Sequence, residues 1–297
     1  MTGKLLTIGE VVMRAAEYLA RHGVETARLD AELLIGHALG LTRLQVYLER
    51  DRPMTEAERE RARELVRRRA AREPVAYILG KREFRSREFE VTPAVLIPRP
   101  ETELLVEHAL TELERRFGRG QPLRMLEFGV GSGAIAVSLA AEMPEVEIVA
   151  TEVSSAAAQV ARRNAERHGV ADRVEVRVQQ DFEGIAGPFH ALVSNPPYVA
   201  ESEAATLPPE IVRYEPHEAL FGGPDGMRWI EWLMDEGPKR LVAGGFMLFE
   251  IGSTQAELVR RAAAARGLTL EAILPDYAGL PRLARLSFSH IRVRGEA

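Results

Sequence analysis

The chain has 297 residues, 46% of them apolar and 28% charged, with a net charge of −5 and no cysteine. This composition suffices for one large domain or two of unequal size. It is too acidic for a nonspecific polyanion binder, and it excludes disulfides, thiolate metal sites and cysteine nucleophiles.

Met1 to Glu10 carries one lysine and no long apolar run, and the longest apolar stretches fall far short of a bilayer span. No signal peptide or membrane span is expected, and the natural reading is a soluble cytoplasmic protein.

Residues 1–80 read as helix throughout. Thr7-x-x-Glu10 is a capping-box pattern, followed by Ile8, Val11, Val12, Ala15 and Leu19 at helical spacing, and Gly23 stops that helix. A second helix is expected to turn Leu29, Leu33, Leu34 and His37 to its apolar face and to end near Gly40. A short third helix carries Leu44 and Leu48. Thr55-x-x-Glu58 caps a fourth, very charged helix reaching Arg72, with Pro74 as punctuation. Residues 1–90 hold 18 Lys and Arg against 15 Asp and Glu, and the rest of the chain 21 against 29. The small part is thus mildly basic: a docking face for an acidic partner or, for Arg59 to Arg72 alone, a solvated amphipathic helix.

From Lys81 the pattern changes. Phe84, Phe89 and Val91 sit among charges in an extended stretch, read as a linker over about residues 81–98, which runs into Leu96-Ile97-Pro98-Arg99-Pro100. A helix with Leu104, Leu105, Ala109 and Leu113 on one face follows. Strands are then expected at Met125–Phe128, Ile148–Thr151, Val174–Val178, Ala191–Ser194, Phe246–Ile251, Leu270–Leu274 and Ala284–Phe288. Helices are expected at Ala134–Ala141, Ser155–His168, 225–243 and 254–266. Such alternation means an α/β fold, a mostly parallel sheet with helices on both faces.

Two places carry chemistry. The first strand of that set runs into Gly129-Val130-Gly131-Ser132-Gly133, where glycines let a ligand lie against bare main chain at the carboxyl end of a sheet. Glu127 stands two residues before the first glycine, and Glu152 ends the next strand, where a carboxylate can accept both hydroxyls of a ribose. A dinucleotide fingerprint would read G-x-G-x-x-G; this loop reads G-x-G-x-G, which resembles the first motif of S-adenosylmethionine methyltransferases. That resemblance places Asp181 and Phe182 at the adenine, a carboxylate for its amine and a ring for its face. Core packing is the competing reading of the ring.

The second place is Ser194-Asn195-Pro196-Pro197-Tyr198, directly after a strand. Two prolines stiffen the backbone and remove two amide donors. Asn195 and the Pro196 carbonyl offer two acceptors for the two hydrogens of a planar NH2 group, and Tyr198 offers a flat wall. An amide nitrogen is a poor nucleophile, but no strong base is needed if it is held in line with a sulfonium methyl. As it attacks it gains positive charge, which the two oxygens stabilise. A merely rigid turn is the competing reading.

N-P-P-Y marks methyltransferases acting on planar NH2 groups of adenine, guanine or glutamine. Further segments narrow the choice: Pro98-Arg99-Pro100-Glu101-Thr102-Glu103, the run from Pro209 to Pro216, Gly222-Gly223-x-Asp225-Gly226, and Asp276-Tyr277-Ala278-Gly279-x-x-Arg282. In the helical part, Arg28 to Leu34 and Glu73-Pro74-x-Ala76-Tyr77-Ile78-x-Gly80 join them. Together these resemble the release-factor glutamine methyltransferases, the PrmC/HemK family, over nearly the whole chain.

The resemblance implies a seven-stranded, mostly parallel, Rossmann-like methyltransferase domain (residues 81–297) with a small all-helical, substrate-docking domain at the N-terminus (residues 1–80). The implied cofactor is S-adenosylmethionine, leaving S-adenosylhomocysteine. It implies as substrate the glutamine of the Gly-Gly-Gln motif in bacterial peptide-chain release factors. Glu127, Gly129, Val130, Gly131, Ser132, Gly133, Glu152, Asp181, Phe182 and Asn195 would border the cofactor. Asn195, Pro196, Pro197 and Tyr198 would grip the glutamine amide, with Arg99 and Glu101 also on the substrate side. Asn195, Pro196 and Tyr198 would be catalytic. Glu127 and Glu152 stand where the family usually has Asp, which implies a shifted cofactor pose, and Phe182 replaces a frequent Trp.

Three other readings stay open: a sister enzyme acting on a ribosomal-protein glutamine, a nucleic-acid amine methyltransferase, and a binding module without chemistry. The second should bring a basic, aromatic-rich recognition domain, and direct nucleic-acid binding is not expected. His37 and His190 read as satisfied core or edge histidines, and no His/Asp/Glu cluster has metal spacing, so no metal is expected.

Overall fold

The computed structural model describes residues 6–288; residues 1–5, where the expectation of no signal peptide partly falls, and 289–297 lie outside the described residues. The chain forms two compact units: the chain up to Lys81 joined by Pro208–Tyr214, and Arg82–Leu207 joined by the chain from Glu215 onward.

The first unit holds α1 (Ile8–Arg21), α2 (Ala27–Leu39), α3 (Arg43–Leu48), α4 (Glu56–Ala70) and α5 (Val75–Leu79). Three of these start alike. Thr7, Thr42 and Thr55 each accept from the backbone N–H three residues on, and the Glu10, Gln45 and Glu58 side chains return the bond. Ile8, Val12, Ala15 and Leu19 meet Ala27, Ala31, Leu34 and Ile35 in the core.

The expected face of α2 is therefore corrected: Leu29 and His37 are exposed, Leu33 is half-buried, and Asp30 and Ile35 are buried instead. Apolar residues stand nearly all round this helix, so spacing alone singles out no face. On α3 the buried residue is Val46, while Leu44 and Leu48 face solvent. The fourth helix ends at Ala70, and Arg72 beyond it takes a positive φ of 74°.

Asp30 is buried because Arg69 meets it at 2.7 Å. Arg69 and Arg72 also bind Glu210 of the returning segment, at 3.1 and 2.7 Å.

The second unit opens with a hairpin, β1 (Lys81–Phe84) and β2 (Arg87–Glu90). Arg85 and Ser86 at its tip both have positive φ, 48° and 57°, the backbone that a two-residue hairpin turn demands. Phe84 and Phe89 meet edge to face at 6.0 Å and are fully buried in the main core of this unit. The stretch read as a linker is thus part of the core. The few apolar residues among its charges are the alternating inner face of a hairpin.

Then come α6 (Thr102–Phe117), β3 (Leu123–Phe128), α7 (Ala134–Glu142), β4 (Val146–Glu152), α8 (Ser155–Arg167), β5 (Val174–Val178) and β6 (Phe189–Ser194). After α9 (Pro209–Tyr214), the short helix that belongs to the first unit, follow α10 (Arg228–Glu236), β7 (Leu241–Glu250), α11 (Ala256–Ala265), β8 (Thr269–Pro275) and β9 (Pro281–Ser287). The seven-stranded sheet has the order β5-β4-β3-β6-β7-β9-β8, with β9 antiparallel to both neighbours. The expected helix at 225–243 is in fact α10 and the start of β7. Gly237 and Pro238 end the helix, and apolar residues on both sides of that break gave a false continuity. The expected α/β fold, mostly parallel with seven strands and a helical N-terminal part, is the one observed.

Truncation of Phe89 tests the hairpin's place in the core. Phe89→Ala should lower stability by about 3–5 kcal/mol in urea unfolding; a near-neutral effect would return residues 81–98 to the status of a linker.

Candidate active site

Strand order reverses between β3 and β6: the chain runs outward through β4 and β5 on one side and through β7 on the other. Ligands of open parallel sheets collect beyond the carboxyl ends at such a point. A cavity of about 270 Å³ lies there in the second unit, lined by residues from the ends of β3, β4, β5 and β6.

Gly129 to Ser132 form one wall. The Gly129 and Val130 N–H groups both donate to the Thr151 carbonyl, and Gly133 closes the turn by donating to Val130. Gly129 and Gly131 have φ of 72° and 54°, and a Cβ on either would meet open space. Backbone conformation, not crowding, demands glycine there. At Gly133 a Cβ would also press on Ala161 of α8 at 3.3 Å. Asn164, fully buried on α8, holds the loop by donating to the Ser132 carbonyl at 2.8 Å.

Glu152 lines the same cavity. Its two oxygens accept from the Gly131 and Ser154 N–H groups at 2.9 and 3.0 Å, which leaves further lone pairs for hydroxyl donors. Burial raises its pKa, against the pull of those backbone donors.

Glu127 lies behind the loop and does not line the cavity. It is fully buried, and neither carboxyl oxygen makes a hydrogen bond of ordinary geometry. Burial drives its pKa well above 4.5, opposed by the Ala136 N–H and reinforced by Glu152.

Asn195 and Pro197 line the cavity; Pro196 is buried and Tyr198 half-buried beside them. Ser194 ties the end of β6 to β3 by donating to the Phe128 carbonyl at 2.8 Å. Asn195 Nδ2 donates to Thr102 Oγ1 at 3.2 Å, Thr102 donates to Glu250 Oε2 at 2.7 Å, and the Tyr198 hydroxyl donates to Glu250 Oε1 at 2.8 Å. Burial beside Glu250 raises the Tyr198 pKa, so this phenol remains a proton donor in that bond. The glycine-rich run packs against the same turn. A Cβ on Gly222 would meet the Pro197 carbonyl at 2.4 Å, and one on Gly226, which has φ 76°, the Tyr198 carbonyl at 2.1 Å. Gln255 donates to the Tyr198 carbonyl at 2.9 Å.

The family models for the PrmC N-terminal domain and the methyltransferase small domain match residues 10–80 and 100–218. A release factor glutamine methyltransferase of Geobacter sulfurreducens is 43% identical over 257 residues, 86% of this chain and 88% of that protein. One of Chlorobaculum tepidum is 39% identical over 286 residues, covering 94% and 96%. This chain belongs to the release factor glutamine methyltransferase family.

Membership makes it an S-adenosylmethionine-dependent methyltransferase. Among solved structures, the hMettl16 catalytic domain bound to a MAT2A 3′UTR hairpin has the same fold. It aligns with a TM-score of 0.54 at 16% identity, over 80% of this chain and 82% of that one.

Of the residues expected at the cofactor in this family, Gly129, Val130, Gly131, Ser132, Glu152 and Asn195 share the cavity. Gly133, Asp181 and Phe182 do not. Phe182 is buried between Phe128 and Trp232, at 6.1 and 4.8 Å, under the Arg240 guanidinium, so core packing claims that ring. Asp181 is exposed and accepts from the Glu183 N–H in a local turn. The aromatic rings that do line the cavity are Phe128, Phe221 and Trp229, with Gln179 and Gln180 following β5.

Arg99 and Glu101 also stand off the cavity wall. Arg99 is spent on Glu215, 2.6 Å away and buried, which binds the Ile97 N–H as well. That pairing joins two of the quoted motifs, and burial raises the Glu215 pKa against the pull of Arg99.

Thr102, Asn164, Glu250 and Trp229 were missed. Glu250 left one signal, a lone acid ending an apolar strand. His37 is exposed, not core. His190 is half-buried on β6, accepting from the Arg124 N–H at 3.0 Å, and burial lowers its pKa. No group of three His, Cys, Asp or Glu is placed to hold a metal among the described residues, and no described helix is long and apolar enough to cross a membrane.

The unpartnered Glu127 carboxyl predicts a pH effect. Unfolded, it titrates near 4.5; folded, well above that. Within that window the native state holds a proton that the unfolded state lacks, so stability from this group falls as pH rises through it. Glu127→Gln is neutral at every pH. The difference in apo melting temperature, variant minus wild type, should therefore grow from pH 4.5 upward. A constant difference across that range would show that the carboxyl is satisfied.

Proposed function

We propose that this chain methylates the side-chain amide nitrogen of the glutamine in the Gly-Gly-Gln motif of bacterial peptide-chain release factors. The observation that carries the reading is the presence of Asn195, Glu152 and the Gly129–Ser132 backbone on the walls of one cavity. S-adenosylmethionine, when bound, supplies an electrophilic methyl group on a sulfonium. The fit rests on bare glycine backbone for a ligand chain, a Glu152 carboxylate with free lone pairs for ribose hydroxyls, and aromatic cavity walls for a purine. In this reading Glu127 sets the loop from behind.

At the other side of the transfer, Asn195 Oδ1 and the Pro196 carbonyl accept the two hydrogens of the glutamine NH2. They hold its nitrogen on the line of attack and stabilise the positive charge it gains. The N–C bond forms as the S–C bond breaks, and the extra proton leaves the nitrogen afterwards. Labelled-methyl transfer to purified release factor tests the reading, with the Gly-Gly-Gln glutamine substituted as control. Asn195→Ala should cost ~10²–10³ in rate, as for loss of a group aimed at developing charge, while S-adenosylhomocysteine affinity stays within a few-fold by calorimetry. A near-wild-type rate would remove Asn195 from the chemistry.

Substrate choice must come from outside the cavity, because many planar amines share an NH2 group. We assign it to the helical unit. One turn of α3 exposes Leu44, Tyr47 and Leu48 at 66%, 66% and 68%, a contiguous apolar patch of the kind that marks protein contacts. Leu44→Glu with Leu48→Glu should reduce transfer to whole release factor at least about tenfold, about 1.4 kcal/mol of docking. Transfer to a short Gly-Gly-Gln peptide, expected to be a poor substrate from the start, should not change. Equal losses on both would make the patch a structural feature.

A further inference from the structure

An asparagine side chain is nearly symmetric in shape. Rotated by half a turn it fills the same space, yet presents two donors where it presented an acceptor. If Asn195 is to accept from a substrate amide, something must fix which end faces the cavity. The surroundings of Glu250 do this.

Glu250 is the last residue of β7 and is 1% exposed. A carboxylate accepts and cannot donate. Its Oε2 takes the one hydroxyl proton of Thr102, and its Oε1 takes that of Tyr198. With its proton committed, Thr102 Oγ1 has only lone pairs to offer Asn195, so it draws the Nδ2 end of the amide at 3.2 Å. The Oδ1 end is left for the substrate. Both Thr102 and Asn195 line the cavity, while Glu250 does not. Four residues from three distant parts of the chain form one directed series of hydrogen bonds, each proton's direction following from the charge on Glu250.

We propose that Glu250, acting through Thr102, is the positioning residue that turns the Asn195 amide oxygen toward the substrate NH2. This rests on the reading of Asn195 as the acceptor for the substrate amide. Protonated, Glu250 could donate to Thr102 Oγ1. Thr102 would then donate to Asn195, and the amide would turn its NH2 toward the substrate NH2, donor against donor. Burial favours that protonation. The Thr102 and Tyr198 hydroxyls and Arg282 on β9 resist it, and Glu101 before α6 adds to it. Arg282 is itself shared with Asp276 at 3.2 Å. Acidification therefore works toward the reversed series.

The test uses the full chain, with methyl transfer to release factor, S-adenosylhomocysteine affinity and melting temperature measured for Thr102→Ser, Thr102→Val, Glu250→Gln and the Val/Gln double variant. Thr102→Val and Glu250→Gln should lower kcat about 10- to 100-fold, the loss known for groups that orient metal ligands. KM and S-adenosylhomocysteine affinity should hold within a few-fold. Thr102→Ser, which keeps the hydroxyl, should recover most of the rate. The double variant should be no slower than the slower single one, because both act through one amide. Wild-type kcat should fall on acidification, and the Thr102→Val profile should be flatter. Additive losses, or Thr102→Val within about threefold of wild type, would overturn the proposal; if Glu250→Gln does not fold, the two Thr102 variants decide. Asn195→Ala run alongside separates the two readings. A fast Asn195→Ala enzyme sinks the amide-acceptor reading itself, whereas an inactive one beside a fast Thr102→Val enzyme sinks only the relay.

Discussion

The reversal of strand order beside β3 is the constraint on which the site depends. Crossovers carry the chain to one side after β3 and β4, and to the other after β6. The cavity opens at the carboxyl ends of β3 and β6, walled on its outer side by the segment before α6 and by the β6–β7 connection. The glycine loop and Asn195 directly follow β3 and β6, and Glu152 is the last residue of β4 between β3 and the sheet edge strand β5. Their registers set the distances among them, so positions 129, 152 and 195 meet although the chain between them is long.

Around that gap the protein buries four carboxyl groups, and burial raises the pKa of each. They are satisfied in different ways. Glu215 has Arg99, Glu250 has two hydroxyls, Glu152 has two backbone N–H groups, and Glu127 has no hydrogen-bond partner. The differences suit different tasks. Glu215 fastens the segment around Ile97 and Arg99, Glu250 joins Thr102 to Tyr198, and Glu152 ties the glycine loop to the start of α8 beside the cavity. A buried carboxyl without a partner is costly, and strongly perturbed groups of this kind cluster at functional sites.

The helical unit is completed by chain from a distant point in the sequence. Pro208–Tyr214 follows the N-P-P-Y turn, and through Glu210 it satisfies Arg69 and Arg72, while Arg69 satisfies Asp30. The Tyr214 hydroxyl adds a bond to the Ala71 carbonyl at 2.9 Å. Removing Glu210 alone would leave the buried Arg69 short of one partner, the costly way to break such a cluster. The charged tail of the fourth helix, read from sequence as a solvated face, is therefore partly interior.

Local rules made much of this legible. Thr-x-x-Glu patterns fix helix starts because the cap bonds span only three residues, and both expected boxes formed at Thr7 and Thr55. Short, nearly continuous apolar runs located every strand of the large sheet, because its central parallel strands are buried on both faces. Glycines at 129, 131 and 133 and the N-P-P-Y turn announced the cavity because their backbone demands are local. What depended on distant partners was not legible. The inner faces of Phe84 and Phe89 were hidden by surrounding charge, and the face of α2 by apolar residues all round it. Asp181 and Phe182 occupied the expected place in the chain, but the side chains packed around them drew Phe182 into the core. Thr102 and Glu250 stand 148 residues apart. Nothing at either position signals the other until β7 lies beside α6, because a hydrogen bond between side chains leaves no period in a sequence.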